Sequence, residues 1–256
     1  MSKPVVGVIG STHFLNDRFY VQMTGSRNLS AIADVADALP LVFAGDPAVT
    51  DIGALLDVVD GVLLTGGRAN VHPSYYGVKP DPRAEPYDQE RDAVALEVTK
   101  AAVARGIPLF GVCRGLQEMA VAYGCALHPE IRDLPGRMNH RAPRTEDGEF
   151  HPDPLVVFAD RHDVNLLPRG QFARILGCEK IRVNSLHGQA VTTSGKRVVV
   201  EGVAEDSTVE AISIAEAPAF ALGVQWHAEY DPQTNPVNRM LFQAFGKALR
   251  QKKAAV

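Results

Sequence analysis

A short segment flanked by glycines places a cysteine where it could act as a nucleophile. Gly111-Val-Cys-Arg-Gly115 has the spacing Gly-x-Cys-x-Gly, analogous to the Gly-x-Ser-x-Gly turn that lifts a nucleophilic serine above a sheet. The small residues would let the chain turn sharply at Cys113, and the first N–H groups of a following helix would favour its thiolate. The same glycines would also suit a purely structural strand-to-helix turn.

A histidine and a carboxylate stand two positions apart much later in the chain. In Gly223-Val-Gln-Trp-His-Ala-Glu229 an extended backbone would put His227 and Glu229 on one face. Glu229 could then hold one ring nitrogen of His227 while the other faces a thiol, as in nucleophile–base–orienter triads. A structural histidine beside a solvated glutamate is the alternative.

Two backbone N–H groups are candidates for an oxyanion hole. Arg114 supplies the N–H directly after Cys113, and Gly66-Gly67 ends another apolar segment, where a backbone without side chains could bring a second N–H close. Either glycine could instead simply form a turn. All of these features follow predicted strands, whose carboxyl ends carry the ligand sites of open α/β sheets.

Strand-like and helical segments alternate through the first half of the chain. Strands are predicted over 5–9, 40–44, 61–65 and 107–112, and helices over 29–39, 90–105 and 116–123, with a further helix capped by Thr50 and running through 59. This order indicates parallel βαβ units and an α/β fold, with a mostly parallel central sheet flanked by helices.

The second half is more irregular. Residues 129–154 are rich in proline and charge and are predicted to form a long loop, a kind of segment that is usually functional or mobile. Strands are predicted over 155–158, 198–203, 209–214 and 220–226, and a last helix over 238–249. Without a repeat or a linker, we expect one domain over 1–256.

Composition excludes several classes of protein. The formal net charge of −4 argues against a nucleic-acid partner. Apolar runs are far shorter than the roughly 20 residues of a membrane span, and residues 1–6 lead into a strand without the apolar core of a secretory signal. We therefore expect no membrane partner and a cytoplasmic location.

The remaining cysteines and the histidines give no sign of a metal site. Cys125 and Cys178 each follow a glycine at wide spacing, so we expect structural, buried thiols and no disulfide framework. The eight histidines lack a recognisable zinc spacing. We interpret them as solvated loop residues. They include His128, His140, His151 and His162.

The motifs together resemble the class I glutamine amidotransferase-like superfamily, whose fold is flavodoxin-like. The resemblance rests on the segments at 111–117 and 223–229, supported by Leu64-Thr-Gly-Gly67 and Arg91-Asp92. Val183-Asn-Ser-Leu-His-Gly-Gln189 and Val209-Glu-Ala-Ile-Ser213 are similar to the gamma-glutamyl-gamma-aminobutyrate hydrolase branch, the peptidase C26 type. Matches span roughly residues 60 to 230.

This resemblance implies a set of roles. Cys113 would be the nucleophile, His227 the general base and Glu229 its orienter, with the N–H groups of Gly67 and Arg114 as oxyanion donors. The expected contacts of the γ-glutamyl head are with these residues: Gly66, Gln117, Ser185, Leu186 and His187. The implied reaction cleaves a γ-glutamyl amide through a thioester and needs no metal or organic cofactor.

Two departures and two alternatives accompany this hypothesis. Ala228 stands where many relatives carry proline, and Gly66-Gly-Arg-Ala-Asn70 differs from the usual Gly-Ser-Pro-Ser-Asn. The implied partner is a small γ-glutamyl substrate, and a homodimer is left open. A glutaminase subunit that supplies ammonia to a separate synthetase is one alternative. A catalytically silent binding module is the other, and it would have no need of all three triad residues.

Overall fold

The computed structural model describes residues 2–254. Its strands are β1 (Val5–Ile9), β2 (Ser11–Leu15), β3 (Phe19–Met23), β4 (Leu39–Phe43), β5 (Gly61–Leu64), β6 (Leu109–Val112), β7 (Leu127–His128), β8 (His162–Leu166), β9 (Lys180–Val183), β10 (Ala190–Val191), β11 (Val198–Ala204), β12 (Val209–Ile214) and β13 (Ala221–Val224). Its α-helices are α1 (Ser26–Ser30), α2 (Ile52–Val58), α3 (Gln89–Ala104), α4 (Arg114–Ala122), α5 (Pro154–Val157), α6 (Gln171–Leu176) and α7 (Pro236–Ala254).

Nine strands form one central sheet in the order β4-β1-β5-β6-β13-β12-β11-β8-β9. The first five strands are parallel, and every pairing beyond β13 is antiparallel. The predicted α/β fold with a mostly parallel central sheet is therefore confirmed, and the antiparallel strands extend one edge. β2 pairs with β3, and β7 with β10, in two small separate sheets.

Helices cover both faces of the sheet and enclose two apolar cores. Strand β5 shows why, because Leu63 packs toward the layer of α6 and α7 while Val62 and Leu64 pack toward the layer of α2, α3 and α4. Strands buried on both faces read as continuous apolar runs. This explains why the predictions for β1, β5 and β6 are confirmed to within a few residues. The helices predicted over 90–105 and 116–123 are confirmed as α3 and α4.

Three predicted elements differ from the structure. The helix predicted over 29–39 begins at Ser26 and ends in a π-helical turn at Val35, because Asp37 has a left-handed backbone with φ 54°. Pro40 also disfavours helical backbone at Leu39, where β4 begins. The cap of α2 is Asp51 rather than Thr50. The strand predicted over 155–158 is instead α5, which Asp153 caps and Pro154 starts.

Within residues 2–254, none of the helices combines the length and the apolar character needed to cross a bilayer.

Candidate active site

Cys113 occupies a sharp turn between β6 and α4, as the sequence predicts. Its backbone has φ 52° and ψ −104°, an uncommon conformation for a residue with a side chain. The flanking glycines are required, because a Cβ at Gly115 would lie 2.2 Å from the carbonyl oxygen of Leu64, and one at Gly111 would lie 2.7 Å from Gly115. Backbone strain of this kind clusters at functional sites.

His227 reaches Cys113 because β13 lies beside β6. The two strands are parallel with Val224 opposite Val112, and the N–H of Cys113 donates to the carbonyl of Val224 at 2.7 Å. A Cβ built on Gly66 would lie 2.8 Å from His227 Cε1 and 3.6 Å from Cys113 Cβ. Both side chains therefore lie against the same glycine, although more than a hundred residues separate them in sequence.

Glu229 completes this arrangement. Its Oε1 lies 2.7 Å from Nδ1 of His227, which leaves Nε2 as the ring nitrogen free for the thiol. Burial alone would lower the pKa of His227, because it disfavours the charged imidazole. The carboxylate of Glu229 and the thiol of Cys113 favour the charged form more strongly, through their charges and hydrogen bonds. The pKa of His227 is raised well above 6.5.

Asn184 holds the backbone of His227 from both sides. Its Oδ1 accepts from the N–H of His227 at 2.9 Å, and its Nδ2 donates to the carbonyl of His227 at 3.2 Å. Phe158 packs edge-on against the imidazole, with ring centroids 5.7 Å apart. The N–H of Ala228 donates to the carbonyl of Trp226 at 3.2 Å. These contacts fix the imidazole without a proline ring.

The two predicted oxyanion donors lie on the same cleft as Cys113. Arg114 is the first residue of α4, so its N–H has no acceptor within the helix. The segment before Gly67 is held by Arg91, whose guanidinium donates to the carbonyl of Thr65 at 2.5 Å and to that of Gly66 at 3.3 Å. These bonds occupy the two carbonyls that precede Gly67.

The cleft has a volume of about 400 Å³. Of the predicted substrate contacts, Gln117, Leu186 and His187 line it, and Gly66 lies beside it against His227. Gln117 Nε2 donates to the carbonyl of Gln189 at 2.6 Å and to Gln225 Oε1 at 3.1 Å. These bonds orient the Gln117 amide.

Ser185 is placed differently from the other predicted contacts. It is buried, and its hydroxyl lies 3.0 Å from the carbonyl oxygen and 3.1 Å from Nδ1 of His140. It is not among the residues that line the cleft. The side chain of Ser185 thus supports the loop that carries Leu186 and His187.

A buried ion-pair network beneath the cysteine turn was not predicted. Arg91 contacts Glu118 at 2.9 Å, and Arg114 contacts Glu118 at 2.6 Å and Asp92 at 2.5 Å, with all four side chains almost fully buried. Two basic and two acidic side chains make up the network, which joins α3 to α4. Burial raises the pKa of Asp92 to about 7, although Arg114 opposes this rise. Arg91-Asp92 belongs to the motifs that carry the family resemblance, but spacing in the sequence alone does not show that these side chains face α4.

Two expectations about histidines and cysteines are wrong. His140 and His162 are buried rather than solvated, because the fold gathers them with other polar residues from separate segments. Cys178 is exposed rather than buried, since it follows the left-handed turn at Gly177 that ends α6. Cys125 is buried as expected, and burial raises its pKa.

Several known proteins are similar to this chain in sequence. A family model for peptidase C26 matches residues 4–229. Gamma-glutamyl-gamma-aminobutyrate hydrolase PuuD of Escherichia coli is 36% identical over 250 residues, covering 96% of this chain and 93% of that protein. The gamma-glutamyl-gamma-aminobutyrate hydrolase of Shigella sonnei matches to the same extent.

A solved structure has a similar fold. The crystal structure of a glutamine amidotransferase from Thermotoga maritima aligns with a TM-score of 0.55 and 14% identity, over 99% of this chain and 86% of that one. At this identity the comparison shows the fold alone, which is that of the class I glutamine amidotransferases. Because the family model matches most of this chain, the chain belongs to the peptidase C26 family.

Proposed function

We propose that the protein hydrolyses the γ-glutamyl amide of γ-glutamyl-γ-aminobutyrate or a related γ-glutamyl amine. The observation that carries this proposal is the convergence of Cys113, His227 and Glu229 at one cleft, with the Nδ1 of His227 held by Glu229 at 2.7 Å. Relatives that share more than a third of the sequence are named for this activity.

In the first half of the reaction, Cys113 Sγ attacks the side-chain amide carbon of the γ-glutamyl group. The resulting oxyanion is stabilised by the N–H groups of Gly67 and Arg114. The raised pKa of His227 favours an imidazolium beside the thiolate, and this imidazolium gives its proton to the leaving nitrogen. The C–N bond breaks, the amine departs, and a γ-glutamyl thioester remains on Cys113.

In the second half, water cleaves the thioester. Neutral His227 takes a proton from the water as it attacks the acyl carbon, and Glu229 stabilises the imidazolium that forms. The C–S bond breaks, glutamate leaves, and the Cys113 thiolate and protonated His227 are restored. Every atom and proton is supplied by substrate, water and these side chains.

The charge of the cleft favours a leaving amine that carries a carboxylate. Arg68, Arg141 and Arg144 line the cleft wall, and the same three arginines continue into an adjoining pocket of about 800 Å³. Arg141 is paired with Glu130, so the excess positive charge of this wall comes from Arg68 and Arg144. Guanidinium groups bind carboxylates well and repel cationic amines. We therefore favour γ-glutamyl-γ-aminobutyrate, a product of putrescine breakdown, over γ-glutamyl polyamines.

The proposal includes the setting in which the enzyme works. One continuous sheet carries every catalytic group, which supports action as a single domain with a small-molecule substrate. The three cysteines are unpaired, which suits a reducing compartment such as the cytoplasm. A homodimer stays a prediction.

A substrate panel tests the reaction and the leaving group together. Wild-type enzyme should hydrolyse γ-glutamyl-γ-aminobutyrate faster than γ-glutamylputrescine and free glutamine, and Cys113→Ala should lose about 10⁴-fold or more of kcat. Arg68→Gln should raise the KM for the γ-aminobutyrate derivative roughly tenfold and leave γ-glutamylputrescine little changed. Arg105→Gln, at an exposed arginine outside the cleft, is the matched control.

Other outcomes of the panel would contradict this assignment. A preference for free glutamine would instead support a glutaminase subunit that supplies ammonia to a synthetase. Normal turnover by Cys113→Ala would remove the proposed nucleophile.

A further inference from the structure

Three imidazoles converge on one buried carboxylate behind the loop that lines the cleft. Glu210 Oε1 lies 3.4 Å from His140 Nδ1, 3.4 Å from His162 Nε2 and 3.4 Å from His187 Nε2. The four side chains come from β8, β12 and two loops, and all of them are buried. Sequence spacing could not reveal this cluster, because its members are scattered over 140–210.

The second ring nitrogen of each histidine already has an acceptor. His140 Nε2 lies 3.0 Å from the carboxylate of Asp206, His162 Nδ1 lies 3.3 Å from the carbonyl of Asp163, and His187 Nδ1 lies 3.2 Å from the carbonyl of Gln189. These oxygens can only accept, so each N–H belongs on that side of the ring. The nitrogens that face Glu210 then carry lone pairs, as in histidines that bind metal ions.

Most of the groups that face each other have no hydrogen-bond partner. Both carboxylate oxygens of Glu210, Nε2 of His162 and Nε2 of His187 are buried without one, whereas His140 Nδ1 also has the Ser185 hydroxyl at 3.1 Å. Leaving buried polar groups unpaired is costly. A single proton shared with Glu210 would satisfy one nitrogen and leave the others unpaired.

The spacing of three of these groups suits a metal ion. One ligand atom from each of His140, His162 and Glu210 lies within 4.8 Å of the other two. The 3.4 Å between Glu210 Oε1 and each histidine nitrogen is close to the separation of about 3.3 Å between ligand atoms that lie about 2.0–2.1 Å from a zinc ion. We propose that His140, His162 and Glu210 bind one divalent transition-metal ion of the zinc class, and that His187 turns toward the ion as its fourth ligand.

This site would be structural. Four protein ligands fill a tetrahedral shell, which leaves no open position for a reacting water. His187 lies in the loop whose Asn184 holds the backbone of His227, so a bound ion would fix the segment that positions the imidazole. Asp206, hydrogen-bonded to His140, would orient that ligand and offset the remaining positive charge.

Metal titration of the untagged wild-type chain tests the proposal. After chelation and dialysis, Co²⁺ should bind at one ion per chain and give the intense visible absorption of tetrahedral cobalt, and Zn²⁺ should abolish this absorption by displacement. Zinc should also raise Tm by several degrees relative to the chelated protein. Absence of a stoichiometric tetrahedral signal, or binding that leaves Tm unchanged, would overturn the proposal.

Variants assign the binding to this cluster. His162→Gln should abolish the tetrahedral cobalt spectrum, and Asp206→Asn should weaken zinc binding roughly 10- to 100-fold. His128→Gln, at a histidine outside the cluster, should bind as the wild type does. Full binding by folded His162→Gln would place the ion elsewhere and refute the site. If His162→Gln does not fold, Asp206→Asn and the wild-type spectrum still decide.

Discussion

At the scale of single residues, the absence of a side chain at Gly66 is as important as the side chains around it. The imidazole of His227 occupies the space that a Cβ would take. The reacting geometry therefore depends on contacts of a few tenths of an ångström, and small displacements of catalytic groups cost large factors in rate.

Gly66→Ala should lower kcat about 100-fold, because the new methyl would lie 2.8 Å from His227 Cε1 and push the ring away from Cys113. Steady-state kinetics with γ-glutamyl-γ-aminobutyrate measures this loss. Gly25→Ala is the control, since its nearest neighbour would be 3.5 Å away. Equal kcat values for the two variants would contradict the proposed packing.

Glu229→Gln should lower the pKa of His227, because it removes the negative charge that helps to raise it. NMR titration of the His227 ring measures the change.

The same charge makes the stability of the fold depend on pH. In the wild type, protonated His227 stabilises the fold fully below about pH 6.5, and this contribution is lost as pH rises through the raised pKa. The variant should lose much of that pH dependence. An unchanged His227 titration would exclude Glu229 as its partner, and Glu205→Gln, at an exposed position, is the control.

At the scale of elements, α3 and α4 are joined by charges as well as by apolar packing. Glu118 contacts both Arg91 and Arg114, and Arg91 also holds the carbonyl groups that precede Gly67. The network therefore connects the helix under Cys113 to the segment that carries the other oxyanion donor. The side chains of this network position catalytic groups, and Arg114 also offers its backbone N–H to the oxyanion.

Glu118→Gln should lower the free energy of unfolding by about 3–5 kcal/mol, since it leaves two buried arginines without their shared partner. Urea denaturation measures the change. Asp57→Asn breaks the exposed pair with Arg105 and should cost less than about 1 kcal/mol. Similar losses for the two variants would show that the buried network contributes no more than a surface pair.

Elements differ in how much of them the sequence reveals. The strands β5 and β6 are apolar throughout, so their pattern is unambiguous. The segment 155–158 has residues that favour strands, yet capping by Asp153 and the proline at 154 make it helical. The β2–β3 hairpin was missed because its polar and apolar residues are mixed and several of its large side chains are exposed.

At the scale of the whole molecule, the sheet order determines the site. β13 is the last of the parallel strands and β6 is its neighbour, so residues 113 and 227 leave adjacent carboxyl ends. The cysteine turn and the His-x-Glu pair could be recognised as local patterns. Three other features could not be recognised in this way, because each depends on which distant segments pack together. They are the hydrogen bonds of Asn184 to the backbone of His227, the Arg91–Glu118 network and the cluster around Glu210.

The most direct test is rapid-quench mass spectrometry of the enzyme during turnover of γ-glutamyl-γ-aminobutyrate. We expect a transient mass increase of one γ-glutamyl group, located on Cys113 and labile to hydroxylamine, as a thioester should be. The adduct should be absent from Cys113→Ala and present in a Cys178→Ser control. Turnover without any such adduct, or an adduct on Cys125 or Cys178, would contradict the account.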